Sequence, residues 1–242
     1  GFIDAPIVAR YRAHELLLEG FEHAIANRAC TLYFPDGVAF LRRKEHDILN
    51  SRGIASVIDH TIFTNHPDLV CARLKALDID HAVLRGRAII TKDLGAIMLS
   101  DHDLRLFGRA RLDRGTPRFV IRVRDTIARK ILLGADRDDI ESYVSSSIRS
   151  LLSGEVDEDE LIRCVVMHRS LEEYESDRYF VQAARTLRDR GFVVQKGSTI
   201  PYLVCTSGGA PPGTEDVDYS YYVESKLMPA IRPLLDAVGI TL

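Results

Sequence analysis

A single carboxylate occupies a strong turn signal near the start of the chain, the tripeptide Pro35, Asp36, Gly37. Strand-like runs at 30–34 and 38–41 flank this tripeptide, which predicts a β-hairpin with Asp36 at its tip. An aspartate in such a turn is favoured for its local side-chain hydrogen bonding.

Basic side chains form the second group with chemical potential. They concentrate between 105 and 130, although the formal net charge of the chain is -3. Local distribution decides nucleic-acid binding more than total charge does, but solvated helix and strand faces explain such a stretch equally well. The stretch contains Arg105, Arg109, Arg111, Arg114, Arg118, Arg122, Arg124, Arg129 and Lys130.

Several classes of site and protein are not indicated. The cysteines, Cys30, Cys71, Cys164 and Cys205, form no CxxC pair and have no histidine at ligand spacing, so reduced thiols are expected rather than zinc. No apolar run approaches a membrane span, and no signal-peptide pattern opens the chain. The chain begins without methionine, and we interpret it as a piece of a longer polypeptide or a processed or split subunit.

The first half predicts an α+β arrangement. Apolar positions at helical spacing predict a helix over 4–27. Strand-like runs at 81–84, 87–91, 94–99 and 104–107 predict an antiparallel sheet, and a short helix is expected over 67–77. Residues 44–66 are poorly patterned.

After Pro117 the pattern becomes mostly helical, which places a boundary between about 108 and 118. Helices are predicted over 119–133, 136–152, 177–190 and 217–238. A strand is predicted over 199–205, followed by a Gly/Pro-rich loop at 207–213.

Three stretches of the second half resemble, in order and spacing, the thumb of family B DNA polymerases. They are residues 166–174 (VMHRSLEEY), residues 183–191 with 197–204 (AARTLRDRG and GSTIPYLV), and residues 218–231 (DYSYYVESKLMPAI). The first half resembles the same family more loosely. Residues 1–2 match the end of the fingers helix, 12–27 the following palm helix, and 104–114 a palm segment in which Gly108 and Arg114 agree.

This resemblance implies an α+β fold in two parts, with the C-terminal end of the palm over 1–115 and the thumb over 116–242. It implies an antiparallel palm sheet with a flanking helix, followed by a mostly helical thumb. It also implies binding of primer-template duplex DNA inside the cell, together with the remaining polymerase chain or a partner subunit that supplies the fingers and upstream palm. No membrane association is implied.

Polymerases of this family transfer nucleotides by two-metal chemistry at carboxylates, one of them on a hairpin that carries two aspartates. With a one-residue deletion, Asp36 matches the second aspartate and would hold Mg²⁺. Without a gap, Pro35 and Gly37 replace both aspartates, and the site is catalytically inactive. The first aspartate is lost in either alignment.

The family's K-K-R-Y element, near the primer-template junction, shows a second departure. Lys92 remains there, but Asp93 and Leu94 replace arginine and tyrosine. An acid facing phosphates weakens binding. The two departures together predict a copy that is weak or inactive in catalysis.

The resemblance finally implies contacts to DNA phosphates without base specificity. Alternatively, the same residues are ordinary surface and core groups. Two other hypotheses are a non-catalytic scaffold for replication proteins, and an unrelated α+β domain that matches by chance. The candidate DNA-binding residues are Lys92, Arg114, Arg190, Lys196, Tyr202 and Lys226.

Overall fold

A computed structural model of the chain describes residues 29–35, 55–58, 61–64, 71–72, 75, 80–91, 94–113, 115–175, 177–213 and 216–241. Within these ranges the strands are β1 (Ala29–Pro35), β2 (Ala55–Ile58), β3 (Thr61–Thr64), β4 (Asp80–Ile90), β5 (Leu94–Ser100), β6 (Asp103–Gly108), β7 (Arg163–Val166), β8 (Thr199–Cys205) and β9 (Gly208–Ala210). The α-helices are α1 (Arg118–Leu133), α2 (Arg137–Leu152), α3 (Glu158–Leu161), α4 (Tyr179–Asp189), α5 (Tyr219–Tyr221) and α6 (Met228–Ala237). A 3₁₀ turn spans Leu171–Glu173, and a π-helical segment spans Tyr222–Leu227.

The chain forms two compact units. Unit 1 comprises Gly1–Arg111, Ala128–Arg137 and Pro233–Leu242, and unit 2 comprises Leu112–Ile127 and Asp138–Arg232. The sequence predicted two domains, 1–115 and 116–242, and each of these is one continuous stretch of the chain. The palm and thumb assignments of these halves stay a prediction.

Unit 1 contains a six-stranded sheet in the order β2-β3-β1-β4-β5-β6. β4, β5 and β6 pair antiparallel, as do β2 and β3, whereas β1 runs parallel to both of its neighbours. Residues 94–98 of β5 are all buried, which explains why this strand shows a continuous apolar run rather than alternation. The sheet is therefore mixed, with antiparallel pairing outside β1.

The predicted hairpin of 30–34 with 38–41 is wrong in its pairing. Thr31 of β1 lies opposite Thr61 on one edge and Ala82 on the other, so both edges of the strand are already occupied. A tight two-stranded turn makes only antiparallel neighbours, whereas parallel neighbours require a longer connection. Residues 38–41 themselves lie outside the described residues, as does the predicted helix over 4–27.

Two further details of unit 1 differ from the predictions. β2 and β3 fall within the segment without a pattern, because four-residue strands are too short to show a clear alternation. The runs predicted at 81–84 and 87–91 form one continuous strand, β4, that passes through Gly86.

Unit 2 contains a three-stranded antiparallel sheet, β7-β8-β9, together with most of the helices. Pro201 is accommodated in the central strand because β9 pairs only with Leu203–Cys205, so the missing N–H leaves no ladder bond unmade on that side. The helices predicted over 119–133, 136–152 and 177–190 are confirmed as α1, α2 and α4. The α+β class is confirmed as well.

β9 and the π-helical segment were not predicted. β9 lies in the Gly/Pro-rich stretch, where Gly209 permits a close approach that no other residue allows: a Cβ there would overlap the backbone of Tyr179. The last helix was predicted to be continuous over 217–238. Instead, its turns before Pro229 widen, and the Met228 N–H bonds to the carbonyl of Val223. Pro229 has no N–H for the regular bond, which is consistent with this widening.

The described helices include none that is both long and apolar enough to cross a bilayer.

Candidate nucleic-acid interface

Arg190 and Lys196 lie on the loop that joins α4 to β8, here called the α4–β8 loop (residues 190–198). α4 ends in a Schellman motif, because the Phe192 N–H bonds to the Leu187 carbonyl at 3.1 Å and the Gly191 N–H to the Arg188 carbonyl at 2.8 Å. Gly191 has φ +88°, the left-handed conformation that glycine adopts without strain. The helix therefore stops sharply at Arg190, and the chain reverses.

The far end of the same loop is held by two backbone hydrogen bonds to Met167, a buried residue just after β7. The Gly197 N–H bonds to the Met167 carbonyl at 2.8 Å, and the Met167 N–H bonds to the Ser198 carbonyl at 2.9 Å. Both predicted cations on this loop, Arg190 and Lys196, have exposed side chains. The structure thus places these two predicted binding residues on one fixed surface loop.

Glu173 is the acidic neighbour of this surface. Its pKa is lowered, first by the hydrogen bond from the Ser170 hydroxyl, then by the Ser170 backbone N–H at 3.4 Å, with smaller contributions from Arg169 and Lys196. Together Ser170 and Glu173 form a capping box at the 3₁₀ turn. The carboxylate is therefore already engaged by local donors.

Tyr202 lies in the core rather than on the surface, with 4% of its area exposed. On the neighbouring strand Arg163 is its direct partner, and the guanidinium lies 5.4 Å from the centre of the tyrosine ring. Arg163 Nε also donates a 2.9 Å hydrogen bond to the carbonyl of Gly115. Burial raises the pKa of Tyr202. The ring packs inside unit 2, and its predicted contact with nucleic acid has no exposed surface to support it.

Lys226 belongs to the π-helical segment and is half-buried. Its ammonium lies 5.3 Å from the centre of the Tyr221 ring, a cation–π arrangement. Tyr221 in turn packs edge-on against Tyr179 and Tyr222, with ring centres 5.5 Å apart in both pairs.

The structure therefore brings Lys226 into a group with aromatic side chains, the Tyr221 cluster, which the sequence did not predict. The contact between Arg163 and Tyr202 was not predicted from the sequence, because the two residues come together only through the pairing of β7 with β8. Tyr221 lies in the segment 218–231 and Tyr179 in the predicted helix over 177–190, but neither was predicted as a site residue. The cluster consists of Tyr179, Tyr221, Tyr222 and Lys226.

The α4–β8 loop and the Tyr221 cluster do not form one compact site. Tyr179 begins α4 and Arg190 follows its end, so about 16 Å of helix separates them at 1.5 Å per residue.

Three predicted site residues lie outside the described residues: Asp36, Lys92 and Arg114. Asp36 follows directly after β1, whose last residue is Pro35. In the part of the chain that is described, no three acidic, histidine or cysteine side chains come together as a metal-binding group. A Mg²⁺ site at Asp36 therefore stays a prediction.

Comparisons with known proteins address the family. No protein-family model matches the chain. DNA polymerase 3 of Saccharolobus shibatae is 26% identical over 169 residues, which cover 66% of this chain and 22% of that protein. DNA polymerase 2 of Aeropyrum pernix is 30% identical over 125 residues, which cover 48% of this chain and 15% of that protein. The chain thus spans about a fifth or less of these relatives.

A solved structure agrees with the curated relatives. The family B DNA polymerase from the hyperthermophilic archaeon Pyrobaculum calidifontis matches with a TM-score of 0.52 at 19% identity, over 75% of this chain and 26% of that one. At this identity the match shows the fold alone. Taken with the curated relatives, it confirms the predicted resemblance to a segment of family B DNA polymerases.

Proposed function

We propose that this chain is the palm end and thumb of a family B DNA-directed DNA polymerase, and that unit 2 binds primer-template duplex DNA. The palm would correspond to 1–115 and the thumb to 116–242. The remaining polymerase chain, or a partner subunit, would supply the fingers and the upstream palm. The relatives carry the name DNA polymerase, and this chain matches only a fraction of their length.

The observation that best supports DNA binding is the presence of Arg190 and Lys196 on one loop with a fixed backbone. Both side chains are exposed, and the hydrogen bonds at the two ends of the loop fix the backbone that carries them. Cations displayed in this way contact phosphates regardless of base sequence. Each phosphate they neutralise releases counterions, which makes such binding depend strongly on salt.

We further propose that this copy is weak or inactive in catalysis. Only one aspartate remains at the hairpin position, and the family's K-K-R-Y element has become Lys92, Asp93 and Leu94 after its first residue. Leu94 is buried at the start of β5, which removes it from any surface that could face a primer. Mg²⁺ would be held only if Asp36 is a ligand.

Fluorescence anisotropy with a labelled primer-template duplex tests the binding proposal. The slope of log affinity against log salt should be negative for the wild-type chain. It should fall in magnitude by about one for each of Arg190→Ala and Lys196→Ala. Arg185→Ala is the matched control. Arg185 is an exposed cation of α4, the helix that precedes the loop, but its side chain is paired with Asp177 at 2.9 Å.

The control should leave the slope unchanged. If the wild-type chain shows no salt-dependent binding, alone or joined to the upstream half of its polymerase, the DNA-binding proposal fails. The non-catalytic scaffold for replication proteins would then be the better account.

A further inference from the structure

The tip of the α4–β8 loop displays two consecutive large apolar side chains. Phe192 is 61% exposed and Val193 is 82% exposed. Among the described residues, the other exposed large apolar groups are separate in sequence, and isolated ones are common on protein surfaces. An adjacent pair at a loop tip is different, because it projects a compact apolar surface into solvent.

The pair is displayed on a rigid support. The Phe192 N–H is itself a member of the Schellman motif, and the other end of the loop is bonded to Met167 in both directions. Within the loop, the Gln195 N–H bonds to the Ser198 hydroxyl at 3.1 Å. Because the backbone is held in this way, less backbone entropy is lost when such a tip enters a ligand, which favours binding.

The charges around the tip select the ligand. Arg190 and Lys196 flank the apolar pair, and both are exposed. The acidic neighbours are Glu172, which pairs with Arg188 at 3.0 Å, Glu173, which accepts from Ser170, and the exposed Asp189, which precedes Arg190. An apolar tip between two cations complements a groove with apolar walls between two rows of phosphates.

We propose that Phe192 and Val193 form a wedge that enters the minor groove of bound duplex DNA, while Arg190 and Lys196 contact the phosphates on either side. Apolar wedges flanked by basic residues are a general means of binding this groove. The inference rests on the proposed function for the presence of DNA. It goes further in assigning an apolar contact, which releases no counterions.

The test compares the double variant Phe192→Ser/Val193→Ser with wild type in the full chain. Leu152→Ser is the matched control, since Leu152 is 51% exposed and ends α2 elsewhere in unit 2. The double variant should lose roughly ten- to hundredfold in duplex affinity at every salt concentration, the loss expected for leaving these side chains unburied. Its slope of log affinity against log salt should equal that of wild type. The control should lose nothing.

Two additions make the test specific. Phe192→Leu, which keeps an apolar side chain, should retain most of the wild-type affinity, and circular dichroism of the double variant checks that it folds. On an A·T-rich duplex saturated with netropsin, a minor-groove ligand, wild type and double variant should bind with equal affinity. A difference that persists on this blocked duplex would overturn the assignment to the minor groove.

The outcomes separate the wedge from the proposed function. Normal salt-dependent binding by the double variant, with unchanged affinity, would overturn the wedge and leave the DNA-binding proposal intact. A changed slope would overturn the wedge too, because the loop would then act through charge. Absence of any duplex binding by wild type would overturn both, and an apolar contact to a protein partner would be indicated instead.

Discussion

The hydroxyl oxygen of Tyr222 accepts a 3.0 Å hydrogen bond from the backbone N–H of Val204 in the interior of unit 2. Tyr222 is fully buried, and burial raises its pKa. The bond connects the π-helical segment to the central strand β8. The polar end of a large core side chain thus satisfies a backbone group that would otherwise be left without a partner.

Tyr222→Phe should lower the free energy of unfolding by about 1–3 kcal/mol, because the Val204 N–H would remain buried without an acceptor. Urea denaturation of the full chain measures this loss. Tyr174→Phe is the matched control: the Tyr174 hydroxyl accepts from the His168 N–H at 3.1 Å, but this bond is exposed and water can replace it. Equal losses of unfolding free energy in the two variants would contradict the idea that burial makes the Tyr222 hydrogen bond more stabilising than the exposed one.

Gly209→Ala should destabilise the chain by about 1–3 kcal/mol or more, since the added methyl group would overlap the backbone at the start of α4 and force strand β9 away. Gly115→Ala provides the control. Its added Cβ would lie 3.6 Å from the Cys164 carbonyl oxygen, an ordinary contact. Thermal unfolding of both variants decides the matter, and a control as unstable as Gly209→Ala would argue against the close approach.

The capping box of Ser170 and Glu173 predicts a pH dependence. The pKa of Glu173 is lowered by its bonds from Ser170, so the carboxylate stabilises the fold above its usual titration range. This contribution disappears as the pH falls through the lowered pKa. The melting temperature of Glu173→Gln should therefore lie below that of wild type at neutral pH and converge with it in acid.

Ser170→Ala should reproduce that pH dependence, because it removes the donor that lowers the pKa. A difference from wild type that is constant between neutral and acidic pH, in either variant, would exclude the ionised carboxylate as its source.

Asp36→Ala should change nucleotide incorporation by the complete polymerase little, because a two-metal site needs more carboxylates than this segment retains. Primer extension with Mg²⁺, compared between wild type and variant, measures the effect. A loss of nucleotide incorporation by several orders of magnitude would instead identify Asp36 as a functional metal ligand and support the alignment with a one-residue deletion.

Local sequence patterns predicted the helices of the second half of the chain well. α1, α2 and α4 have clear apolar periodicity and recognisable ends, such as the acids Asp138 and Asp139 at the start of α2 and Gly191 after α4. These signals depend on residues close in the chain. For that reason Arg190 could be placed at the end of a predicted helix, and Lys196 between that helix and the strand predicted over 199–205.

Pairing between distant segments could not be predicted in the same way. β1 lies between β3 and β4 although the sequence suggested a neighbour a few residues away, because strand order depends on which surfaces are buried together. Among the candidate residues, Tyr202 shows the same limit. Its segment was identified, but only the fold placed its ring beneath Arg163.

The sequence by itself determined the α+β class, the resemblance to family B DNA polymerases, and the basic residues of the α4–β8 loop, all of which depend on short stretches of chain. Only the tertiary structure decided that Tyr202 is buried, that Lys226 lies against Tyr221, and that Phe192 and Val193 remain exposed. Exposure depends on what the rest of the chain covers, and no local pattern contains that information.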